Sequence, residues 1–98
     1  MTESTRRIIE IIRSIPPGQV VSYRDVGLAA GLPRGARQVA RILHSMSKTQ
    51  GLPWHRIIRS DGHIALSPES GGDLQAELLR AEGVRVSKTL QVDMKKRL

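Results

Sequence analysis

The chain has 98 residues and a formal net charge of +7, with 16 lysine and arginine residues against 9 aspartate and glutamate residues. This length predicts one small domain, residues 1–98, and the positive charge favours an anionic partner, nucleic acid before an acidic membrane surface. The absence of cysteine excludes disulfides, thiol catalysis and sulfur-ligated metals, and the 3 histidines have no metal-ligand spacing, so we expect no metal and no cofactor.

The N-terminus has no apolar signal segment, and no apolar run approaches the ~20 residues that span a bilayer. We therefore expect a cytoplasmic protein that does not enter membranes. No heptad repeat or additional helix supplies a dimerisation element, so we expect a monomer. The aromatic residues are Tyr23 and Trp54, which predicts an aliphatic core.

Residues 4–14 are predicted to form an amphipathic core helix, which Pro16-Pro17-Gly18 ends. The apolar residues at helical spacing are Ile8, Ile11, Ile12 and Ile15. A short apolar stretch, Val20-Val21, separates this helix from the next one.

A second helix begins after Ser22, because Ser22-Tyr23-Arg24-Asp25 has the form of a capping box. It continues to Ala30, and Gly31 is placed to end it in a left-handed turn. Leu32-Pro33 then leads to a third helix over about residues 35–47. Two helices joined by a short turn of glycine and proline indicate a helix-turn-helix.

The third helix has two different faces. Its predicted core face carries Ala36, Val39, Ala40, Leu43 and Met46. Its opposite face is basic and polar and carries the predicted DNA-binding residues Arg34, Arg37, Arg41, Ser45 and Lys48. On a lone helix such a face is usually only solvated, but after a preceding helix and turn it predicts contact with DNA.

A β-hairpin is predicted after the third helix. Residues 57–59 and 63–66 are its arms, and Asp61-Gly62 supplies its turn. After a helix-turn-helix, a hairpin indicates a winged helix. The predicted fold class is therefore α+β and mainly helical, a winged helix-turn-helix DNA-binding domain with a small β-hairpin wing.

The last part of the chain is predicted to contain a fourth helix and a short strand. Asp73 is placed to cap the helix, which ends at Glu82-Gly83. The apolar residues of this helix are Leu74, Leu78 and Leu79. Residues 84–86 predict the strand, and Lys95-Lys96-Arg97 is expected to be a frayed tail.

Residues 53–56 read Pro-Trp-His-Arg and are followed by two isoleucines. This stretch resembles Pro-Cys-His-Arg, the active-site motif of the O6-alkylguanine-DNA alkyltransferases, in which the cysteine accepts the alkyl group. Trp54 stands at the cysteine position, and an indole is not a nucleophile under these conditions. The chain resembles the alkyltransferase-like members of this family, which bind alkylated DNA without repairing it.

The resemblance covers roughly residues 6–86 as an ordered set of motifs. Residues 15–23 resemble the family's entry into its first DNA-binding helix, residues 36–40 the segment with its arginine finger, and residues 71–83 its closing helix. The chain departs from the pattern at Met46-Ser47, where the family has Asn-Pro and the asparagine supports the active-site turn.

The resemblance implies roles for individual residues. Arg37 would fill the gap that a flipped nucleotide leaves, and Tyr23 would press on the 3′ phosphate region, with the helix in the minor groove. Trp54 would form an apolar wall of a lesion pocket, although a core tryptophan is the simpler interpretation of this residue alone. The other predicted pocket residues are Pro53, His55, Ile64 and Ser67. His55 and Glu82 match the relay that activates the cysteine, and here they would remain as structural hydrogen-bonding groups.

The function implied is a non-enzymatic sensor of O6-alkylguanine in double-stranded DNA, which flips the lesion and marks it for the damage-recognition proteins of nucleotide excision repair. One alternative is a sequence-specific winged-helix transcription regulator, which would usually require a dimerisation element. Another is a glycosylase, which needs a well-placed acid or base, and Glu82 is the candidate that the resemblance places near the pocket.

Overall fold

The computed structural model describes residues 1–93, in which four α-helices surround a two-stranded sheet. The helices are α1 (Glu3–Arg13), α2 (Tyr23–Ala29), α3 (Ala36–Gln50) and α4 (Gly72–Ala81), and the strands are β1 (Val21–Ser22) and β2 (Ile57–Ile58). Single 3₁₀ turns occupy Trp54–Arg56 and Pro68–Ser70. The α+β, mainly helical class is confirmed, and the predicted basic tail lies outside the described residues. No helix within residues 1–93 is long and apolar enough to cross a membrane.

The helix-turn-helix is formed by α2, α3 and the turn between them. The predicted cap is confirmed, because the Ser22 hydroxyl accepts a hydrogen bond of 3.0 Å from the backbone N–H of Asp25. Gly31 has a φ of +79°, the left-handed turn that was expected, and the Leu32 N–H returns to the Gly27 carbonyl. A Cβ built on Gly27 would lie only 3.1 Å from the Leu32 carbonyl oxygen, so glycine allows this turn to close tightly.

Two helices differ in detail from their sequence predictions. In α1, Ile9 is buried and Ile11 is only half-buried. In α3, which runs three residues further than predicted, the buried residues are Val39, Ile42 and Leu43. The placement of Ala40 on the core face was wrong, because Ala40 is exposed where that side of α3 meets an open groove.

The pairing of the predicted hairpin was also wrong. Strand β2 pairs in parallel with β1, with Val21 opposite Ile57, and residues 63–64 join the C-terminal segment instead. The turn itself is present, since the Arg59 N–H donates to the His63 carbonyl and Gly62 has a φ of +90°. Both isoleucines of β2 are fully buried, and an exposed two-stranded wing would have left one of its faces in water.

The short parallel sheet separates two clusters of buried side chains. Val21 and Ile57 belong to the cluster that packs with α1, α2 and α3. Val20 and Ile58 belong to a second cluster, built with α4 and the C-terminal segment. Successive residues of an extended chain point to opposite faces, so Val20-Val21, at the start of β1, and the two residues of β2 join the two halves of the fold.

Helix α4 begins without a side-chain cap. Its N-cap is Gly71, with a φ of +117°, so the prediction that Asp73 caps the helix was wrong. The Gly72 N–H donates to the Ser67 carbonyl, and a Cβ on Gly72 would lie 2.5 Å from the Leu66 carbonyl oxygen. The backbone of the preceding loop therefore lies against the first turn of α4, and only glycine fits there. Residues 84–86 form a single bridge, Val86 to Val92, rather than a strand.

Gly72→Ala is expected to destabilise the fold by about 1–3 kcal/mol, because the added methyl group meets two backbone carbonyl oxygens that cannot both move away. Asp73→Ala, one residue along, should cost less than about 1 kcal/mol, since Asp73 contributes only charge at the helix N-terminus. Urea unfolding of both variants measures the difference. A larger loss of stability for Asp73→Ala than for Gly72→Ala would indicate that Asp73 caps the helix after all.

Candidate nucleic-acid interface

A large open groove of about 1130 Å³ lies between α3 and the chain from residue 59 to residue 75. The α3 side chains that line it include Ala36, Arg37, Ala40, His44, Ser47 and Lys48. Leu66 and Leu74 line the other side, and both are exposed. The volume exceeds the ~300–1,000 Å³ of ordinary small-molecule pockets, so the groove has room for more than one isolated base.

The 3.6-residue period of α3 places small side chains and cationic side chains on adjacent stripes that face the groove. Ala36, Ala40 and Ser47 fall on one stripe, and such small side chains leave room for another molecule close to the helix backbone. Arg37 and Lys48 lie along one edge of this stripe. The groove therefore combines an open, small-residue surface with a cationic border, which suits a polyanion that carries flat bases.

The structure divides the predicted DNA-binding residues into two groups. Arg37 and Lys48 line the groove, whereas the exposed Arg34, Arg41 and Ser45 lie outside it. The Ser45 hydroxyl donates to the Arg41 carbonyl at 2.9 Å, so its hydrogen is already used within α3. The three residues outside the groove can contact a nucleic-acid backbone, and Arg37 and Lys48 can contact a molecule inside the groove.

Tyr23, at the start of α2, lines the groove and also packs against the first core cluster. Burial raises the pKa of the Tyr23 hydroxyl, so it stays protonated at neutral pH. A protonated hydroxyl can donate a hydrogen bond to a phosphate oxygen or a base. The neighbouring Arg24, which the sequence analysis did not single out, lines the same end of the groove.

Trp54 is held in place by a tight turn. Pro53 has φ −76° and ψ 64°, the geometry of an inverse γ-turn, and the Trp54 N–H donates to the Leu52 carbonyl at 2.8 Å. The indole is half-buried, packs against the first core cluster and lines the groove. Trp54 therefore contacts both the core and the groove, while its role towards a lesion stays a prediction.

Behind Trp54, the chain is anchored by the carboxylate of Glu82. His55 Nε2 lies 2.6 Å from Glu82 Oε2, and Arg56 Nη2 donates to the same oxygen at 2.8 Å. The backbone N–H of Gly18 donates to Oε1 at 2.9 Å, and Arg56 also donates to the Ile15 carbonyl. One carboxylate thus connects the end of α4, the Pro-Trp-His-Arg segment and the turn after α1.

These contacts determine the protonation state of Glu82. Hydrogen bonds from Arg56, with smaller contributions from Gly18 and His55, lower the pKa of the carboxyl from 4.5 to about 2, against an opposing effect of burial. Glu82 is therefore ionised at neutral pH, and it does not line the groove. A glycosylase would need an acid or base that reaches the flipped base, and Glu82 does not meet that requirement.

Four residues predicted for the lesion pocket are placed elsewhere than on the groove. His55 turns towards Glu82, and Ile64 is buried in the second core cluster. Ser67 is exposed, and its carbonyl accepts the Gly72 N–H, while Pro53 acts through the turn that it forms. Their roles towards a lesion stay predictions, and any such role would be indirect in the geometry described here.

Several groove residues were missed by the sequence analysis: Arg24, His44, Arg59, Leu66, Leu74 and Gln75. Gln75 had a readable signal, because it is a polar residue on the buried stripe of α4 with Ala76 and Leu79. His44 had one as well, because it lies seven residues after Arg37 and four before Lys48 on the same side of α3. Arg59, Leu66 and Leu74 had none, since only the folding of residues 59–75 towards α3 brings them to the groove. Within residues 1–93, no group of three or more His, Asp or Glu residues could hold a metal ion.

The Glu82 carboxylate predicts a specific pH dependence of stability. A carboxyl whose pKa is depressed in the folded state stabilises the fold above its unfolded pKa, here 4.5, and this contribution is lost as the pH falls towards 2. Glu82→Gln should therefore lower the free energy of unfolding at pH 7 by up to about 3 kcal/mol and flatten its pH profile between these values. Urea unfolding at pH 7, 4 and 3 tests this, with the exposed Glu77→Gln on α4 as control. Equal profiles for the two variants would contradict it.

Comparison with known proteins agrees with this geometry. Residues 3–84 match the family model described as the DNA-binding domain of 6-O-methylguanine DNA methyltransferase. The chain is 42% identical over 93 residues to the DNA base-flipping protein of Escherichia coli (strain K12), covering 93% of this chain and 70% of that protein. It is 32% identical over 90 residues to Alkyltransferase-like protein 1 of Schizosaccharomyces pombe, covering 91% of this chain and 83% of that protein.

Among solved structures, S. pombe Atl1 in complex with damaged DNA containing O6-carboxymethylguanine superposes with a TM-score of 0.88 at 27% identity, covering 100% of this chain and 96% of that one. The sequence match extends from α1 through α4, and the two folds correspond over their whole length. The chain therefore belongs to the 6-O-methylguanine DNA methyltransferase family, through that family's DNA-binding domain, and is similar to its alkyltransferase-like members.

Proposed function

We propose that this protein is a non-enzymatic sensor that binds O6-alkylguanine in duplex DNA, flips the damaged base into the groove and marks it for nucleotide excision repair. The observation that carries the proposal is the place of Trp54. The residue at the family's alkyl-acceptor position lines a groove bordered by cationic side chains, and it presents an indole there instead of a thiol. The same chain contains no cysteine.

Binding to the duplex starts from the charge of α3. Arg34, in the turn before α3, and Arg41, on α3, are exposed outside the groove, and they contact phosphates of any sequence. Arg37 borders the groove itself, and its guanidinium fills the space that the extruded nucleotide leaves in the stack. Tyr23, on the same border, supports the rotated backbone. The helix enters the minor groove in this arrangement.

The groove recovers part of the cost of base flipping. Extrusion costs a few kcal/mol, and less for a damaged base whose pairing is already weakened. An apolar alkyl group that packs against Trp54 contributes about 25 cal/mol for each Å² removed from water. Leu66 and Leu74 are 37% and 53% exposed, so they add apolar surface that an occupant of the groove would cover. An unmodified guanine offers no alkyl group and pairs more strongly, which makes the sensor selective.

The outcome of binding is recognition without transfer. The chain has no thiol to accept an alkyl group, and Glu82 is held by Arg56 and His55 away from the groove. A lesion bound in this way stays flipped and exposed to other proteins. We propose that the damage-recognition proteins of nucleotide excision repair are these partners, and that the sensor binds as a monomer without a cofactor.

The proposal is tested by titrating matched duplexes that contain guanine or O6-methylguanine at one position, followed by mass analysis of the protein and the DNA. We expect tighter binding of the lesion duplex and unchanged masses after prolonged incubation, since no acceptor nucleophile is present. A protein heavier by one methyl group, or loss of the methyl group from the DNA, would refute a sensor. Tight binding to one particular sequence regardless of the lesion would favour a transcription regulator.

Arg37→Ala and Arg41→Ala form a matched pair, because both arginines are exposed on α3 but only Arg37 lines the groove. Arg41→Ala should weaken lesion and plain duplexes equally and lower the log–log salt slope by about one unit, as expected for one lost phosphate contact. Arg37→Ala should also reduce the preference for the lesion and the signal of a fluorescent base analogue at the flipping site.

Titrations of both variants on both duplexes at two salt concentrations separate these effects. If the two variants behave alike, Arg37 is one more phosphate contact and does not replace the flipped base.

A further inference from the structure

The three histidines of the chain have different surroundings. His55 Nε2 lies 2.6 Å from a carboxylate oxygen of Glu82, and His63 Nδ1 lies 3.4 Å from a carboxylate oxygen of Asp61. The imidazole of His44 forms no ion pair or hydrogen bond with any of residues 1–93. Two histidines therefore have an anionic partner inside the protein, and within this part of the chain the third has none.

His44 is exposed in the second half of α3 and lines the groove. It follows Arg37 by seven residues and precedes Lys48 by four, so the helical period places all three on the same side of α3. Lys48 is one turn away, ~6 Å further along the helix axis. His44 therefore belongs to the cationic edge that an occupant of the groove meets.

The other charges that line the groove are mostly positive and fixed. Among the described residues that line it, Asp61 is the acidic one, and a hydrogen bond from the His63 backbone lowers the pKa of its carboxyl, so it stays ionised near neutral pH. Burial raises the pKa of Tyr23, so its hydroxyl stays neutral. Histidine is the side chain on the groove that ordinarily changes its charge between about pH 5 and 8. The cations that line the groove with it are Arg24 on α2, Arg37 and Lys48 on α3, and Arg59 on the opposite side.

We infer that His44 binds a backbone phosphate of the duplex in its protonated form, so that the affinity of this protein for DNA is linked to pH. This inference rests on the duplex binding in the proposed function. A phosphate is the anion that a duplex brings to this edge of the groove, and it would stand beside His44 as the carboxylates stand beside His55 and His63. The protonated imidazole can donate to a phosphate oxygen from either ring nitrogen. A nearby negative charge favours the protonated form, so binding takes up a proton from the solvent.

A phosphate contact has a signature that differs from that of lesion recognition. Phosphates fix the position of a protein on the duplex but carry no information about the bases. The linkage to pH should therefore affect lesion and plain duplexes equally, and the ratio between the two affinities should not depend on pH. In this respect His44 differs from Arg37 and Trp54, whose proposed roles change that ratio.

The experiment measures the affinity of the whole protein for matched duplexes with guanine or O6-methylguanine at one position, at pH 6 and pH 8 and constant salt. Both affinities should fall by about three- to fivefold from pH 6 to pH 8, as expected for one exposed ion pair. The log–log salt slope should be steeper at pH 6 by up to about one unit. Titration calorimetry in two buffers of different ionisation enthalpy should detect the uptake of a fraction of one proton per complex.

Two substitutions of His44 should act in opposite directions. His44→Gln cannot become charged, and it should bind at both pH values as the wild-type protein does at pH 8. His44→Lys keeps its charge, and it should bind at both pH values as the wild-type protein does at pH 6. Because His44 is exposed and both replacements are good helix formers, stability should change little, which urea unfolding checks.

His63→Gln is the matched control, since His63 is also exposed but does not line the groove. It should retain most of the pH dependence of the wild-type protein. Loss of the pH dependence in His63→Gln, together with its retention in His44→Gln, would assign the effect to the pair of Asp61 and His63 and overturn the role of His44.

The outcomes separate this inference from the sensor function. Equal wild-type affinity at pH 6 and pH 8 overturns the role of His44, even if the lesion is preferred. A pH dependence confined to the lesion duplex also overturns it, because a phosphate contact acts on both duplexes. Equal affinity for the two duplexes at both pH values overturns the sensor function instead, and the pH dependence then still decides the role of His44.

Discussion

The carboxylate of Glu82 is the interaction on which the geometry of the site depends. It receives Arg56, His55 and the backbone of Gly18, and so connects three segments that are distant in the chain. The ion pair between Arg56 and Glu82 is little exposed. Removing Glu82 alone would be costly, because Arg56 would remain charged without its partner. The segment that carries Trp54 therefore has a fixed position relative to α4, and the groove keeps its shape without an occupant.

The resemblance in sequence placed His55 and Glu82 at the positions of a catalytic relay. Here the same pair supports the fold. Arg56 is the main reason that the pKa of Glu82 falls to about 2, and the resulting permanent charge suits an anchor better than a proton carrier. These hydrogen bonds hold the segment that carries Trp54 in position relative to the end of α4.

Helix α3 contributes to three surfaces, the core, the groove and the exposed basic face. The prediction from helical periodicity allowed for only two of them, so it placed Val39 correctly and Ala40 wrongly. Val39 and Ile42 face the core, Arg41 faces outward, and Ala40 faces the groove. A two-sided interpretation assigns every apolar residue to the core. Alanine is apolar and small, so it is found both in cores and on surfaces that another molecule approaches closely, and the sequence pattern does not distinguish these cases.

The sequence by itself determined the helices, the Ser22 cap of α2 and the tight turn at Gly31, because these depend on residues a few positions apart. It also determined the motif at residues 53–56 and the basic face of α3, and hence the family and the class of partner. Only the tertiary structure decided that β2 pairs in parallel with β1 and that residues 59–75 face α3. Those contacts join segments tens of residues apart, and no local preference selects between them. The buried amide of Gln75 belongs to the second group, since the fold determines that the His55 and Ile57 carbonyls accept from its nitrogen.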